Sequence, residues 1–241
     1  NFSLGQVGTL LLPPLVLAWR AMRRSEHAQA GLWIGLLVAI KPFFAPLWLA
    51  LPLLRQWRIF AMSAVVLLAL TLTAWVIWGT EVYRHYALVA TDVTWNGANW
   101  NASWWGLTER FFSGQADSVL PPGSLQARGS AALLSVLTLC LVARGLSRSQ
   151  SDSKHQANAL VLWTLPASLL ISPLGWVYYF PMMSLPWLLL WQRARSLDQT
   201  GTRWRMLCVI PLLLSSITLA IGNSPRPETP TVWWGIDSVY C

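Results

Sequence analysis

Residues 30–54 read AGLWIGLLVAIKPFFAPLWLALPLL, an apolar run with a single charge, Lys41, followed at once by Pro42. How this run is folded decides the topology of everything after it. As one helix it would be about 36 Å long, enough to cross a bilayer with tilt. Local chemistry argues for a break instead. Proline has no N–H to donate and disfavours helix at the residue before it. Residues 30–40 alone would make a helix of about 16 Å, roughly half a hydrocarbon core. Gly31 and Gly35 form a small-xxx-small pair that suits close helix packing.

Charge distribution separates the two foldings. If the run crosses once, the basic connectors divide seven against nine, with no bias. If it turns back at Lys41-Pro42, twelve basic residues share one face: Arg20, Arg23, Arg24, Arg55, Arg58, Arg144, Arg148, Lys154, Arg193, Arg195, Arg203 and Arg205. Only Arg84, Arg110, Arg128 and Arg226 lie on the other. The positive-inside rule prefers the second arrangement. The run is therefore read as a re-entrant helical hairpin, with a kinked single span as the alternative. Re-entrant backbone at membrane depth is tolerated where protein or a water-filled cavity satisfies it.

Composition sets the class. The 241 residues are 55% hydrophobic and 11% charged, with a mean hydropathy of +0.47, too apolar for an ordinary soluble domain. Further apolar runs at Phe2–Trp19, Ile59–Gly79, Gly129–Ala143, Asn158–Ile171, Trp176–Trp191 and Met206–Ile221 predict an all-α polytopic membrane protein. It forms a single transmembrane domain over residues 1–241. The net charge of +8 sits in short connectors, the pattern of membrane anchoring rather than nucleic-acid binding. The three cysteines form no framework, and no metal-ligand spacing is present. The chain opens on Asn rather than Met, and it reads as a fragment that has lost an N-terminal part.

With the hairpin accepted, Thr80–Arg128 becomes one large external loop. The Ser172-Pro-Leu-Gly175 corner and the Gly222–Cys241 tail share its side. The loop holds the densest mixture of indoles, amides and hydroxyls in the chain. Asn101 and Ser103 offer paired donors and acceptors for a sugar, and Trp104 offers a flat apolar face. An interfacial aromatic belt explains some of the tryptophans equally well. Asp92 and Glu109 are candidate general bases. Arg110 is a candidate for neutralising a phosphate, an exposed ion pair with Glu109 being the alternative. In the second polar and aromatic corner, Trp176, Tyr178 and Tyr179 stand ready for a glycan or phosphate. Lys41 is the sharpest single residue, because an ammonium at membrane depth usually faces a cavity or a partner. It could hold a lipid-linked phosphate as a point charge.

Several of these pieces occur in an order that resembles glycosyltransferase family 87. They are the Gly5-Gln6 opening, Ala30 to Pro42, Leu54-Arg-Gln-Trp-Arg58, Asn101-Ala-Ser-Trp-Trp-Gly106 with Arg110, and Ser172-Pro-Leu-Gly-Trp176. The resemblance covers most of residues 1–190. It implies a helix bundle of the GT-C type and inverting transfer of a hexose, typically mannose, from a polyprenyl-phosphate sugar. The acceptor would be a lipid or glycan outside the cytoplasmic membrane, with no cofactor, nucleotide sugar or essential metal. It also implies that the catalytic base is an Asp on a first external loop, which would precede Asn1. One departure stands out: Tyr178 and Tyr179 occupy the region where family members often carry histidine. A transporter or lipid-linked-sugar flippase is the competing reading, since broken helices serve transport too. No second Lys-Pro break in Gly129–Ile221 marks an internal repeat.

Overall fold

The computed structural model describes residues 9–91, 97, 98, 101–113, 124–149, 152–173, 175 and 177–196. Nine α-helices are found among them, and no β-strand. Of the expected apolar runs, Met206–Ile221 lies outside the described residues, as does the Gly222–Cys241 tail.

Helix α1 (Leu12–Arg23) begins at Pro13 and Pro14, residues that suit a first helical turn because it needs no N–H donors. Helix α2 (His27–Ile40) ends where Pro42 dictates. Lys41 takes extended backbone angles (φ −140°, ψ 108°) while its N–H still closes onto the Leu37 carbonyl at 2.9 Å. A single 3₁₀ turn, Pro42–Phe44, leads into the short helix α3 (Ala45–Leu49). Pro52–Leu54 makes another such turn, and Arg55 then adopts a left-handed conformation (φ 59°) before α4 (Trp57–Trp78) starts. The Trp48 indole of α3 stacks on Phe60 with ring centres 4.8 Å apart, and its N–H donates to the Phe60 carbonyl.

The chain thus doubles back at Lys41-Pro42, and the glycines show it. A Cβ on Gly31 would meet Met62 and the Ile59 carbonyl, and one on Gly35 would meet Ser63 and Val66. Moving four residues along α2 moves the contact four residues along α4, so the two helices run parallel. The segment between them must therefore return to the level at which α2 began. The small-xxx-small pair is what permits the approach. At Gly35 an added Cβ would stand 2.7 Å from both the Ser63 carbonyl oxygen and Val66 Cβ. Gly35→Ala is expected to destabilise the protein by about 1–3 kcal/mol, read as a lower midpoint of thermal unfolding in detergent.

Helix α5 (Glu81–Thr91) follows α4, and α6 (Trp104–Ser113) packs against α7 (Leu125–Ser147). The stretch 80–128 read as a polar loop therefore contains two helices. Helix α8 (Ser153–Ile171) comes next, capped by Asp152, whose carboxylate accepts the His155 N–H at 2.7 Å. A 3₁₀ stretch, Val177–Met183, then precedes α9 (Ser184–Ser196).

Polar contacts gather the basic connectors at one end. Ser25 pairs with Ser153 at 2.8 Å, Gln56 donates to Gln156, and the Trp19 indole donates to Asn158 at 2.9 Å. The arginines beside these residues are brought to the same end. Buried Leu15, Ile34, Leu37, Phe44, Leu47, Leu51, Leu165 and Met182 fill the space between α1, α2, α3, α8 and the 177–183 stretch.

Helices α4 and α7, of 22 and 23 residues, are long and apolar enough to cross a membrane. Val65, Leu68, Val76 and Ile77 of α4 and Leu133, Leu137 and Leu141 of α7 are exposed. Exposed apolar surface on helices of this length suits a lipid environment. Helices α1 and α2, by contrast, are about 18 and 21 Å long and span only part of a hydrocarbon core.

Candidate functional site

The site is assembled at the end of α8 opposite the basic connectors, about 28 Å along that helix. Two clusters meet it there, one at each end of the short segment 173–179.

The first cluster follows from the α2 break. The Lys41 ammonium donates to the Tyr179 hydroxyl at 3.1 Å and lies 5.0 Å from the centre of the same ring. This combines a hydrogen bond with a cation–π contact. On Tyr179 also rests Phe43, two residues past Lys41, stacked with ring centres 4.4 Å apart. Tyr179 is buried and Lys41 half-buried. Sequence reading proposed Lys41 and Tyr179 separately, and the fold brings them together. It did not single out Phe43. An aromatic directly after a Lys-Pro break was the available signal.

The second cluster is a clasp between the loop around Asn101 and the 172–175 corner. Asn101, fully buried, donates from Nδ2 to the Pro173 carbonyl at 2.8 Å, and the Ala102 N–H donates to the Gly175 carbonyl at 2.8 Å. Asn101 Oδ1 accepts the Ser103 N–H at 3.2 Å. Ser103, also fully buried, caps α6 by accepting the Gly106 N–H at 3.2 Å on its hydroxyl. Two glycines make the approach possible. A Cβ on Gly106 would stand 2.5 Å from the Asn101 carbonyl oxygen, and one on Gly175 would stand 2.1 Å from that of Leu169.

Arg110 sits one and a half turns along α6 and reaches back. Its Nη1 donates to the Ala98 carbonyl at 2.7 Å and the Asn101 carbonyl at 3.0 Å. Partial burial lowers its pKa from the ordinary arginine value, though guanidinium stays cationic. No ion pair joins it to Glu109. The Glu109 side chain is buried and packs beside Gly97, where its Cγ would lie 3.3 Å from an added Cβ. Trp104 gives its indole N–H to the Thr138 hydroxyl at 2.9 Å, fixing α6 on α7. Thr138 was not anticipated, although a hydroxyl inside an apolar run was its trace in the sequence.

The described side chains of Asn101, Ser103 and Trp104 therefore shape and anchor the loop, while Lys41 brings a positive charge to the neighbouring corner. Asp92 and Trp176 lie outside the described residues, and so does the side chain of Tyr178. Among the described residues, no group of three or more His, Cys, Asp or Glu side chains is placed to hold a metal ion.

A protein-family model described as Glycosyltransferase family 87 matches residues 1–173. That stretch contains the Lys41 break, the 101–110 loop and one strand of the clasp through Pro173. No curated protein and no solved structure gives a significant match.

Proposed function

Because this chain belongs to glycosyltransferase family 87, we propose that it transfers a hexose, mannose in the first instance, from a polyprenyl-phosphate donor. The acceptor is a lipid or glycan on the outer side of the cytoplasmic membrane, and the transfer inverts the anomeric centre. The observation that carries this reading is Lys41, a cation placed over Tyr179 where an otherwise apolar run breaks. In the reaction an acceptor hydroxyl attacks the anomeric carbon, the bond from that carbon to the phosphate oxygen breaks, and polyprenyl phosphate leaves. Negative charge grows on the departing phosphate, and a prepositioned ammonium stabilises the transition state more than the ground state. A carboxylate takes the hydroxyl proton. Asp92 and Glu109 are this chain's candidates.

The corner formed by Asn101, Ala102, Pro173 and Gly175 supplies a rigid wall for the sugar or acceptor. Arg110 and Trp104 hold that wall in place, and Trp176 and Tyr178 border it in sequence. This geometry favours an outward-facing site, with the arginine-rich end in the cytoplasm and the protein spanning the membrane several times.

Two measurements test the proposal. Purified intact protein should transfer the sugar from a polyprenyl-phosphate donor without nucleotide sugar or added metal. Strict dependence on either would refute the donor assignment. Cysteine labelling of Ser118→Cys and Ser149→Cys should place them on opposite faces, with position 118 outside. Labelling of position 118 only from the cytoplasm would overturn the topology.

A further inference from the structure

Helices α4 and α7 carry the same pattern on their uncovered sides. In α7, Leu133, Leu137, Leu141, Arg144 and Arg148, the last of them closing the helix, follow at steps of three or four residues. All five are exposed. Such spacing keeps them on one face, the one turned away from buried Val142 and Leu146. In α4, Arg58, Ala61, Val65, Leu68 and Leu72 repeat the pattern and are again exposed, opposite buried Ile59 and Ser63. Helix α4 begins and α7 ends at the arginine-rich end, so each apolar stripe terminates there in guanidinium groups. The rise from Leu133 to Arg144 is about 16 Å and from Arg58 to Leu68 about 15 Å, close to the hydrocarbon depth of one leaflet.

No partner among the described residues accounts for these charges. The described acids at that end are Glu26 and Asp152. Glu26 lies 3.9 Å from Arg24, while Asp152 is taken up by His155 and the cap of α8. No described ion pair involves Arg58, Arg144 or Arg148. Arg58 stands in the first turn of α4, where the helix dipole disfavours a cation and favours an anion beside it. Its neighbour Trp57 is exposed, an indole suited to the membrane–water interface. An apolar stripe alone would take any lipid, and a guanidinium alone any anion. Sharing one helix face, they match an amphiphile with acyl chains and a negatively charged head.

We infer that these two faces preferentially hold anionic phospholipids of the leaflet at the arginine-rich end. The head lies at Arg144 and Arg148 on α7 and at Arg58 on α4, with the acyl chains along the leucine and valine stripes. The preference is independent of the transfer reaction, because the fold carries Lys41 to the opposite end of α8. An arginine at an anionic membrane surface is worth a preference of about fivefold.

The test is photolabelling of the intact protein in phosphatidylcholine nanodiscs containing a minor fraction of phosphatidylglycerol. Two probes are compared, phosphatidylglycerol and phosphatidylcholine with the same diazirine in the acyl chain near the head. The anionic probe is expected to label residues 58–65 and 137–148 roughly fivefold more heavily than the zwitterionic one, with the ratio falling as salt is raised. Arg144→Gln combined with Arg148→Gln should bring the ratio on α7 close to one and leave that on α4, and Arg58→Gln should do the converse. Arg84→Gln combined with Arg128→Gln removes as much charge from other positions and should leave both ratios unchanged. Equal labelling by the two probes, an unchanged α7 ratio in the folded Arg144 and Arg148 variant, or an equal loss in the Arg84 and Arg128 control would overturn the inference. So would exclusion of both probes with crosslinks to a second copy, which would make these faces a protein interface. If a variant fails to fold, the probe ratio and its salt dependence in the unaltered protein decide.

Discussion

Replacing Lys41 with alanine in the intact protein is expected to lower kcat/KM for the polyprenyl-phosphate sugar on the order of 10²-fold, the scale of losing one prepositioned electrostatic group at a reacting centre. The fold should survive. Lys41 occupies extended backbone angles open to any residue, and the desolvation cost relieved by removing a half-buried cation offsets the lost contacts with Tyr179. The midpoint of thermal unfolding should therefore change little while transfer falls. Lys41→Arg keeps the charge but not the compact ammonium that sits against the Tyr179 ring, so it should recover only part of the loss. Tyr179→Phe removes the hydroxyl and keeps the ring, deleting one hydrogen bond to a charged group. About 1.5–3 kcal/mol is the usual scale for such a bond, and the effect should fall on kcat if Tyr179 orients Lys41 for the departing phosphate. Unchanged kinetics in Lys41→Ala would remove the residue from the site.

The same residue shows which parts of this protein are legible in its sequence. A proline acts on its immediate neighbours, so the interruption of the 30–54 run could be read directly, and the structure has the chain turning back there. Gly31 and Gly35 were legible for a similar reason, because helical spacing puts them on one face, although the partner helix was not specified. The charge count placed the basic connectors together, and Ser25–Ser153 and Gln56–Gln156 contacts join three of those turns at one end. The 80–128 stretch was harder. Its polarity marked it as extramembrane, but polarity does not separate a loop from short amphipathic helices such as α5 and α6. The Ser103 cap of α6 could have been read from a serine three residues before Gly106. The clasp could not. Asn101 meets Pro173 across 72 residues through a backbone carbonyl, and a carbonyl leaves no residue type behind as a signature. The chemistry expected of Asn101 and Ser103 was thus drawn from side chains whose described hydrogen bonds build the site's frame.

That frame supplies the second large effect. Gly175→Ala is expected to destabilise the protein by about 2–3 kcal/mol and to cut transfer by more than tenfold. The added Cβ would stand 2.1 Å from the Leu169 carbonyl oxygen and 2.9 Å from Ser103 Cβ. The first obstacle is backbone and the second belongs to a fully buried residue, so neither can swing aside like the end of a flexible side chain. The corner must instead withdraw from the loop, and the Ala102 N–H then loses its acceptor on Gly175. Asn101→Ala attacks the same clasp from the other strand, removing the bond to Pro173 and the acceptor for the Ser103 N–H. Because both substitutions open one clasp, their combined cost should fall short of the sum of the single costs. Gly129→Ala is the control. It lies within α7, nothing stands within 4 Å of its added Cβ, and alanine in a helix should be favourable by about 0.8–1 kcal/mol. Thermal unfolding in detergent and transfer rates, measured side by side, distinguish the cases. A Gly175→Ala protein as stable and active as Gly129→Ala would mean that the loop and the corner do not form one wall.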